Sequence, residues 1–187
     1  MSAAGHIDPS NKKIALLIAV IAAFLAFSET LGSSAQTEAL SRNIEASNLW
    51  AFFQAKTIRL TTLRTAAESL EVDAALAATP EAKALIEKRV VSWRKTADRY
   101  ESEPDTREGR KELVVRAKDA EKKRDRALAA YHQYEVASGA LQIAIVLASA
   151  NIITGAVFLM WGAMGLGALG VVFALIGFLA PTAVHLF

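Results

Sequence analysis

Few side chains of this 187-residue sequence are of the types that carry out chemistry. It contains no cysteine, which excludes disulfides, thiolate catalysis and cysteine-ligated metals. The three histidines are scattered, and His132 with Glu135 supplies only two ligands, fewer than a metal site needs. No nucleophile stands beside a base in a catalytic arrangement. We therefore expect no enzyme activity, no cofactor and no metal.

A glycine-rich run, residues 165–170 (GLGALG), matches the dinucleotide-binding fingerprint letter for letter. That fingerprint needs a preceding strand and an acidic residue about 20 positions later, and this run lies in an apolar segment with no acid after it. Helix packing is the better interpretation, because small residues recur at steps of four and three: Ala163, Gly167, Gly170, Ala174, Gly177 and Pro181. Membrane helices approach closely at such residues. We expect this face to contact a helix of the same chain or of another.

Polar residues at the ends of apolar segments form a second group of interest. We expect Glu29, Ser138, Gln142 and His185 to lie at one membrane level, and Asn151 to lie near the middle of its segment. A carboxylate and an imidazole at one interface could pair and respond to pH, which suggests a cluster that gates or relays protons. The alternative is a solvated interfacial carboxylate, with Asn151 bonding across helices as structural support.

The charged residues that surround these segments are collected in one block. No residue is charged between Lys13 and Glu29, and none is charged from Val136 to the end. Residues 34–135 hold 19 Lys or Arg and 17 Asp or Glu. Acids interleaved with bases, and a net charge of only +2, argue against a nucleic-acid partner. A mean hydropathy of +0.28 with this segregation indicates a membrane protein with one charged domain.

Three segments have the length of membrane-spanning helices, for which about 20 apolar residues are needed. We predict spans at residues 14–31, 136–161 and 164–186, with a tight turn at residues 162–165. Residues 1–13 form an N-terminal tail, and residues 32–135 form the charged domain. The first span has an alternative interpretation as a signal peptide cleaved near Ser34, although it is longer than a usual signal core.

The orientation follows from the basic residues near the membrane ends. Six bases occupy residues 116–126 on the side of the charged domain, against Lys12 and Lys13 on the opposite side. The positive-inside rule therefore places the charged domain in the cytoplasm. With lipids as partners, the expected location is a bacterial inner membrane.

The charged domain has the pattern of a helical hairpin. Steps of four and three from Leu49 to Ala77 fall on apolar residues at every position except Lys56, which is a heptad seam typical of a coiled coil. The first helix should run unbroken to Ala78, and a second should begin at Pro80. After an interruption at residues 103–105, a third helix should run into the second span. The predicted class is all-α: three spans, with a long coiled-coil insertion between the first and second.

One stretch of this domain, residues 49–58, is apolar on all sides. It contains the predicted contact residues Leu49, Trp50, Phe52, Phe53 and Ile58. A helix that is apolar all round is buried all round, and one hairpin covers only one face. We therefore expect a homo-oligomer with this stretch at its centre. The alternative is burial under the short second helix, with Trp93 as the contact.

The segment 46–59 (ASNLWAFFQAKTIR) resembles the hallmark segment of bacterial membrane proteins in domain-of-unknown-function family 4337. Residues 28–31 and 36–39 fit the same pattern, as does the apolar C-terminal hairpin. The resemblance implies an integral membrane protein with a long helical insertion and no assigned activity. It implies no catalytic residues.

Two functions remain open from the sequence. The first is an oligomeric scaffold or interaction protein, assembled through residues 49–58 and the small-residue faces. The second is an oligomeric channel or transporter, with an ion or proton path lined by Glu29, Gln142, Asn151 or His185. A pore requires these side chains to face a shared hydrated axis, whereas a scaffold does not.

Overall fold

The computed structural model of the protein describes residues 9–184, with side chains from residue 12 onward. Within this range the chain forms four α-helices and no β-strand: α1 (Pro9–Ala75), α2 (Pro80–Glu101), α3 (Arg110–Thr154) and α4 (Val157–Leu179). The predicted all-α class is confirmed. By length and composition, α1, α3 and α4 could each cross a membrane.

The chain divides into two compact units. Unit 1 contains α1 up to Leu40, α3 from Arg124 and all of α4. Unit 2, Ser41–Lys123, contains the rest of α1, all of α2 and the start of α3. The three apolar segments fall in unit 1, and most of the charged residues fall in unit 2.

The connection between α1 and α2 closely follows the sequence prediction. α1 runs unbroken to Ala75, three residues short of the predicted end. Thr79 is the N-cap of α2, and its hydroxyl accepts a hydrogen bond from the backbone N–H of Ala82. Pro80 follows in the first turn, where its missing N–H leaves no helical bond unmade.

The turn between α3 and α4 corrects a prediction. Residues 162–165, where we expected a tight turn, are helical within α4, and the chain turns instead at Gly155 and Ala156. Gly155 has φ +69°, a left-handed conformation that suits glycine, and its N–H donates to the carbonyl of Asn151 at 2.8 Å. Consequently α4 begins at Val157 rather than 164 and ends at Leu179 rather than 186.

One heptad-spaced face of α1 is buried along almost the whole helix. The seam predicted from Leu49 extends back to the start of the described side chains, and every one of its positions is buried or half-buried. We refer to these positions as the inner seam: Ile14, Ile18, Ile21, Leu25, Ser28, Gly32, Ala35, Ala39, Arg42, Ala46, Leu49, Phe53, Lys56, Leu60, Leu63, Ala67, Leu70 and Ala74.

Each unit has its own apolar core. In unit 1, Ile21 of α1 packs with Leu141 and Ala144 of α3. In unit 2, Leu49 of α1 packs with Leu113 and other residues of α3, and α2 contributes the buried Val90 and Ala97. Removal of this apolar surface from water is the main favourable term in folding unit 2.

Candidate functional site

The predicted contact stretch in unit 2 is largely covered by its own chain. Leu49 is buried in a cluster with Ala46, Leu113, Ala117 and Ala120, and the three aromatic residues Trp50, Phe52 and Phe53 pack against that cluster half-buried. The residues that cover this cluster lie on α3, and α2 contributes Tyr100, which lies beside Lys56 of the same stretch. Trp93, the α2 residue that the alternative interpretation named, does not belong to this cluster. Ile58 differs from the other four predicted residues because it is 67% exposed.

Trp50 is held by a polar contact as well as by packing. Its indole Nε1–H donates to Glu121 Oε1 at 2.9 Å, across 71 residues of sequence. Its ring also meets that of Phe53 edge to face, with ring centres 5.6 Å apart. Both contacts leave the indole nitrogen satisfied and the ring packed, so Trp50 has a structural role within unit 2.

Lys56, the one charged residue in the seam predicted from Leu49, is buried between aromatic rings. Its Nζ lies 4.9 Å from the centre of the Tyr100 ring and 5.3 Å from that of Phe52. The nearest carboxylate oxygen in an ion pair, Glu103 Oε2, is 3.9 Å away. A single polar residue at a core heptad position fixes the register of helices at a cost in stability. Lys56 therefore favours one alignment of α1 with α2.

We expect Lys56→Met to raise the free energy of unfolding of unit 2 by about 1 kcal/mol, since a buried charge costs desolvation that a long 3.9 Å pair repays poorly. Glu103 keeps its 2.6 Å bond to Arg99 in this variant. Lys83→Met, at an exposed ion pair on α2, is the control and should change stability little. Thermal unfolding followed by circular dichroism measures both variants, and a loss of stability in Lys56→Met would contradict the expectation.

Glu112 links the end of α2 to the start of α3. Ser102 Oγ donates to Glu112 Oε1 at 2.6 Å, and the backbone N–H of Glu103 donates to Oε2 at 3.1 Å. These hydrogen bonds stabilise the ionised carboxylate and lower the pKa of Glu112 below its ordinary value of 4.5. The Glu112 carboxylate thus connects the two helices across the interruption predicted at residues 103–105.

The lowered pKa of Glu112 predicts a specific acid sensitivity. The stabilisation is present above the ordinary pKa and is lost as the pH falls through the lowered pKa of the folded state. We expect Glu112→Gln to lower the Tm at neutral pH and to weaken the fall of Tm below about pH 4.5. Glu68→Gln, on the exposed surface of α1, is the control that loses the same charge. If Tm fell with acid identically in the original protein and in both variants, this role of Glu112 would be contradicted.

The predicted polar cluster of unit 1 is only partly assembled. Gln142 Nε2 donates to Glu29 Oε1 at 3.2 Å, across 113 residues of sequence, and both side chains are exposed. Ser138 is half-buried one turn away on α3. Asn151 lies nine residues beyond Gln142, about 14 Å along the helix, and is therefore outside this cluster. His185 lies outside the described residues.

Asn151 has a different place from the one predicted. It is buried three residues before the end of α3, not in the middle of a span. Its Nδ2 donates to the carbonyl of Ala156 at 3.5 Å, and its own carbonyl accepts from Gly155. The side chain therefore stabilises the turn between α3 and α4.

Two further buried polar residues in unit 1 were missed by the sequence analysis. Ser28 Oγ donates to the carbonyl of Tyr134 at 3.2 Å, and Gln133 Nε2 donates to the carbonyl of Val184 at 2.9 Å. Both side chains are buried. The signal was present in the spacing: Ser28 continues the inner seam, and Gln133 lies four residues before the buried Ala137.

The small-residue face of α4 is buried against α1 and α3 of the same chain. Gly167 faces Ile21, and a Cβ there would lie 3.3 Å from the Ile21 Cδ1. Gly170 faces Leu141, and Gly177 faces Gln133 and Tyr134. Ala174 on the same face is half-buried. These residues are contacts within one chain.

Among the residues that the structure describes, no group of three or more His, Cys, Asp or Glu side chains is placed to hold a metal ion. The polar contacts described above lie at helix ends, between helices and in turns. A family model matches a range that includes nearly all of the four helices. Residues 10–180 match the family described as Domain of unknown function (DUF4337). The chain belongs to this family.

Membership in the DUF4337 family confirms the resemblance drawn from residues 46–59. The match extends across all four helices, so the family pattern covers both units rather than one motif. A search of curated proteins and a search of solved structures each found no match. The family description assigns no activity.

Proposed function

We propose that this chain is a homo-oligomeric integral membrane protein with a structural or interaction role. In this proposal α1, α3 and α4 span the membrane, and unit 2 is a coiled-coil hairpin that binds other protein chains. Large apolar side chains exposed on the three candidate spans support lipid contact, among them Phe27, Phe158 and Phe178. In the most apolar 18-residue stretch of each helix, 17% of the residues are buried in α1, 39% in α3 and 22% in α4. Most of the surface of these stretches is therefore free to contact lipid.

The observation that carries the proposal is apolar surface left exposed in the charged unit. Ile58 and Val72 of α1, and Leu76 directly after its end, are each more than 60% exposed, and Ile44 of α1 is 53% exposed. Single exposed apolar residues are ordinary, but several on one element indicate an interaction surface. The aromatic residues Trp50, Phe52 and Phe53 do not support this surface, because each is half-buried against the cluster that α1 and α3 form.

The proposed location is a bacterial inner membrane, with unit 2 in the cytoplasm. Support comes from the basic residues at the start of α3, which outnumber the two lysines before the first apolar segment. Because the chain lacks cysteine, single cysteines at Ser92 in unit 2 and at Asn11 near the N-terminus can be labelled selectively. A membrane-impermeant thiol reagent added to intact cells should label only the second, and the reverse pattern would overturn the orientation.

The oligomeric state is the direct test of the proposed function. The full chain is reconstituted in lipid nanodiscs large enough for several copies and measured by native mass spectrometry across a range of protein-to-disc ratios. We expect more than one copy per disc at ratios where random co-occupancy predicts one. A chain that stays monomeric at every ratio would remove the homo-oligomer from the proposal.

A channel or transporter is the second candidate, and the bond between Glu29 and Gln142 is the observation in its favour. It joins a carboxylate and an amide of two candidate spans, the kind of pair that marks ion paths in membranes. Proton leak from liposomes that contain the chain should then fall in Glu29→Gln, and Thr30→Val serves as a neighbouring exposed control. Equal leak in protein-containing and empty liposomes would remove this candidate.

A further inference from the structure

A second heptad series runs along α1 in unit 2, on the side opposite the inner seam. Its positions follow steps of three and four without a break. We refer to them as the outer seam: Ser41, Ile44, Asn48, Ala51, Ala55, Ile58, Thr62, Thr65, Ser69, Val72 and Leu76. All eleven are uncharged, and all eleven are exposed in the single chain. Leu76 directly follows the last turn of α1, to which its N–H bonds.

The position of the outer seam explains its exposure. Each of its residues lies two positions from an inner-seam residue, as Ala51 does from Leu49 and Phe53. Two residues correspond to about 200° of rotation at 3.6 residues per turn. α2 and α3 therefore cover one side of α1 and leave the other side free.

The absence of charge on the outer seam is selective. In unit 2, α1 carries eight charged residues, and none of them occupies an outer-seam position: Arg42, Glu45, Lys56, Arg59, Arg64, Glu68, Glu71 and Asp73. A solvated face of a helix in a charged domain is normally where such residues lie. An uncharged face with strict heptad spacing is instead typical of a helix–helix interface.

The inner and outer seams have the same seven-residue period, so a supercoil that aligns one of them also aligns the other. A strict repeat of seven makes a helix supercoil, which keeps heptad faces in a constant direction along its length. The inner seam already requires this repeat for packing against α2 and α3. The outer seam therefore stays aligned over residues 41–76, about 50 Å of helix, and presents a continuous strip to a parallel partner helix.

We propose that the outer seam pairs with the outer seam of a second copy of this chain, in parallel and in register. This rests on the proposed homo-oligomeric membrane protein. Two copies inserted in the same orientation run their α1 helices in the same direction, and homotypic pairing then brings uncharged residues only against themselves. The membrane confines both copies, which raises their effective concentration and lets a modest interface suffice.

The side chains of the outer seam suit a close pairing. Its serine, alanine and threonine side chains are small. A shallow depression of about 660 Å³ on the surface of α1 is lined by four outer-seam residues and three neighbours: Ile58, Thr62, Thr65 and Ser69, with Thr57, Thr61 and Ala66. Asn48 occupies a core position of the new seam, where a lone asparagine specifies register. Glu68 and Asp73 flank the far end and would meet across the pair, a weak repulsion that salt screens.

Disulfide cross-linking in membranes tests the contact directly, because the chain contains no cysteine of its own. Ala51→Cys, Ile58→Cys and Thr65→Cys should each form covalent dimers under mild oxidation. Val91→Cys on α2 and Val115→Cys on α3 are matched controls, since Ile58, Val91 and Val115 are 67%, 66% and 64% exposed. Cross-links at the controls equal to those at the outer seam would overturn the proposal.

A charge exchange tests homotypic register. Ile58→Glu and Ile58→Lys should each reduce self-association by about tenfold or more, because like charges would face each other in the pair. An equal mixture of the two variants should recover association, since the new glutamate of one copy then faces the new lysine of the other. Ile58 is exposed in the single chain, so unchanged circular dichroism should accompany both variants. Val91→Glu should leave association unchanged.

The outcomes separate this inference from the proposed function. An original chain that is monomeric throughout overturns both. An oligomeric original chain whose association is unchanged in Ile58→Glu and Ile58→Lys overturns the outer seam alone. Loss in both single variants without recovery in the mixture overturns the parallel, in-register pairing.

Discussion

Leu113→Ala is expected to lower the free energy of unfolding of unit 2 by about 2–5 kcal/mol, among the largest effects of any single truncation in that unit. Leu113 is 0% exposed and belongs to the cluster with Ala46, Leu49, Ala117 and Ala120. Its neighbours there are mostly alanines, whose side chains are too short to fill the space that the missing leucine atoms leave. The lost transfer energy and the remaining cavity therefore add.

Val115→Ala is the matched control for this measurement. It removes apolar atoms from the same helix only two residues away, at a side chain that is 64% exposed. A surface substitution of this kind changes stability by about 0.5 kcal/mol or less. Chemical denaturation followed by tryptophan fluorescence reports both, because Trp50, one of three tryptophans, packs against the Leu113 cluster. Equal destabilisation by the two variants would contradict the core assigned to unit 2.

Much of the fold was predictable because helix signals in this sequence are local. The inner seam from Leu49 onward, the stop before Pro80 and the interruption at residues 103–105 each follow from spacing or from a proline nearby. The seam upstream of Leu49 is not evident from hydrophobic spacing, because the inner-seam positions there include Ser28, Gly32 and Arg42. At these positions small size or a hydrogen bond suits the helix contact, and an apolar side chain is not required.

The turn at Gly155 shows what hydropathy hides. Ile152 and Ile153 precede it and Val157 follows, so the mean hydropathy of the segment shows no boundary between two helices. The boundary is set instead by one backbone conformation and by the side chains of Asn151 and Thr154, which bond to Ala156. The sequence Asn-Ile-Ile-Thr-Gly at residues 151–155 contains the residues that form this turn. They act through hydrogen bonds and backbone conformation, which the length of an apolar segment does not reveal.

The candidate site depended on contacts between residues far apart in the sequence. The sequence correctly identified residues 49–58 as unusually apolar, but it could not show that α3 returns to cover Trp50 and Phe53. Glu121, which binds the Trp50 indole, lies 71 residues away. The outer seam is not predictable from the sequence for a related reason: alanine, serine and threonine carry little hydrophobic signal, and their lack of charge becomes informative only after the structure shows them exposed.

Gly170→Leu is expected to destabilise unit 1 by about 1–3 kcal/mol relative to Gly165→Leu, because it overpacks a closed helix contact. A Cβ at Gly170 would lie 2.6 Å from Leu141 Cγ and 3.0 Å from the carbonyl oxygen of Ala137. Leu141 is itself 0% exposed, and the carbonyl belongs to the α3 backbone, so neither can yield without moving a helix. At Gly165 a Cβ meets no atom within 4 Å.

The Gly165 variant makes the comparison specific. Both substitutions replace glycine by leucine within α4, so the gain in helix propensity and in apolar surface is similar and cancels. Only contact with α3 differs. Because Gly170 faces its own chain, the loss should be independent of protein concentration, which thermal unfolding in detergent at two protein concentrations can show. A loss in Gly170→Leu that disappears at high concentration would place this glycine face between copies instead of within one.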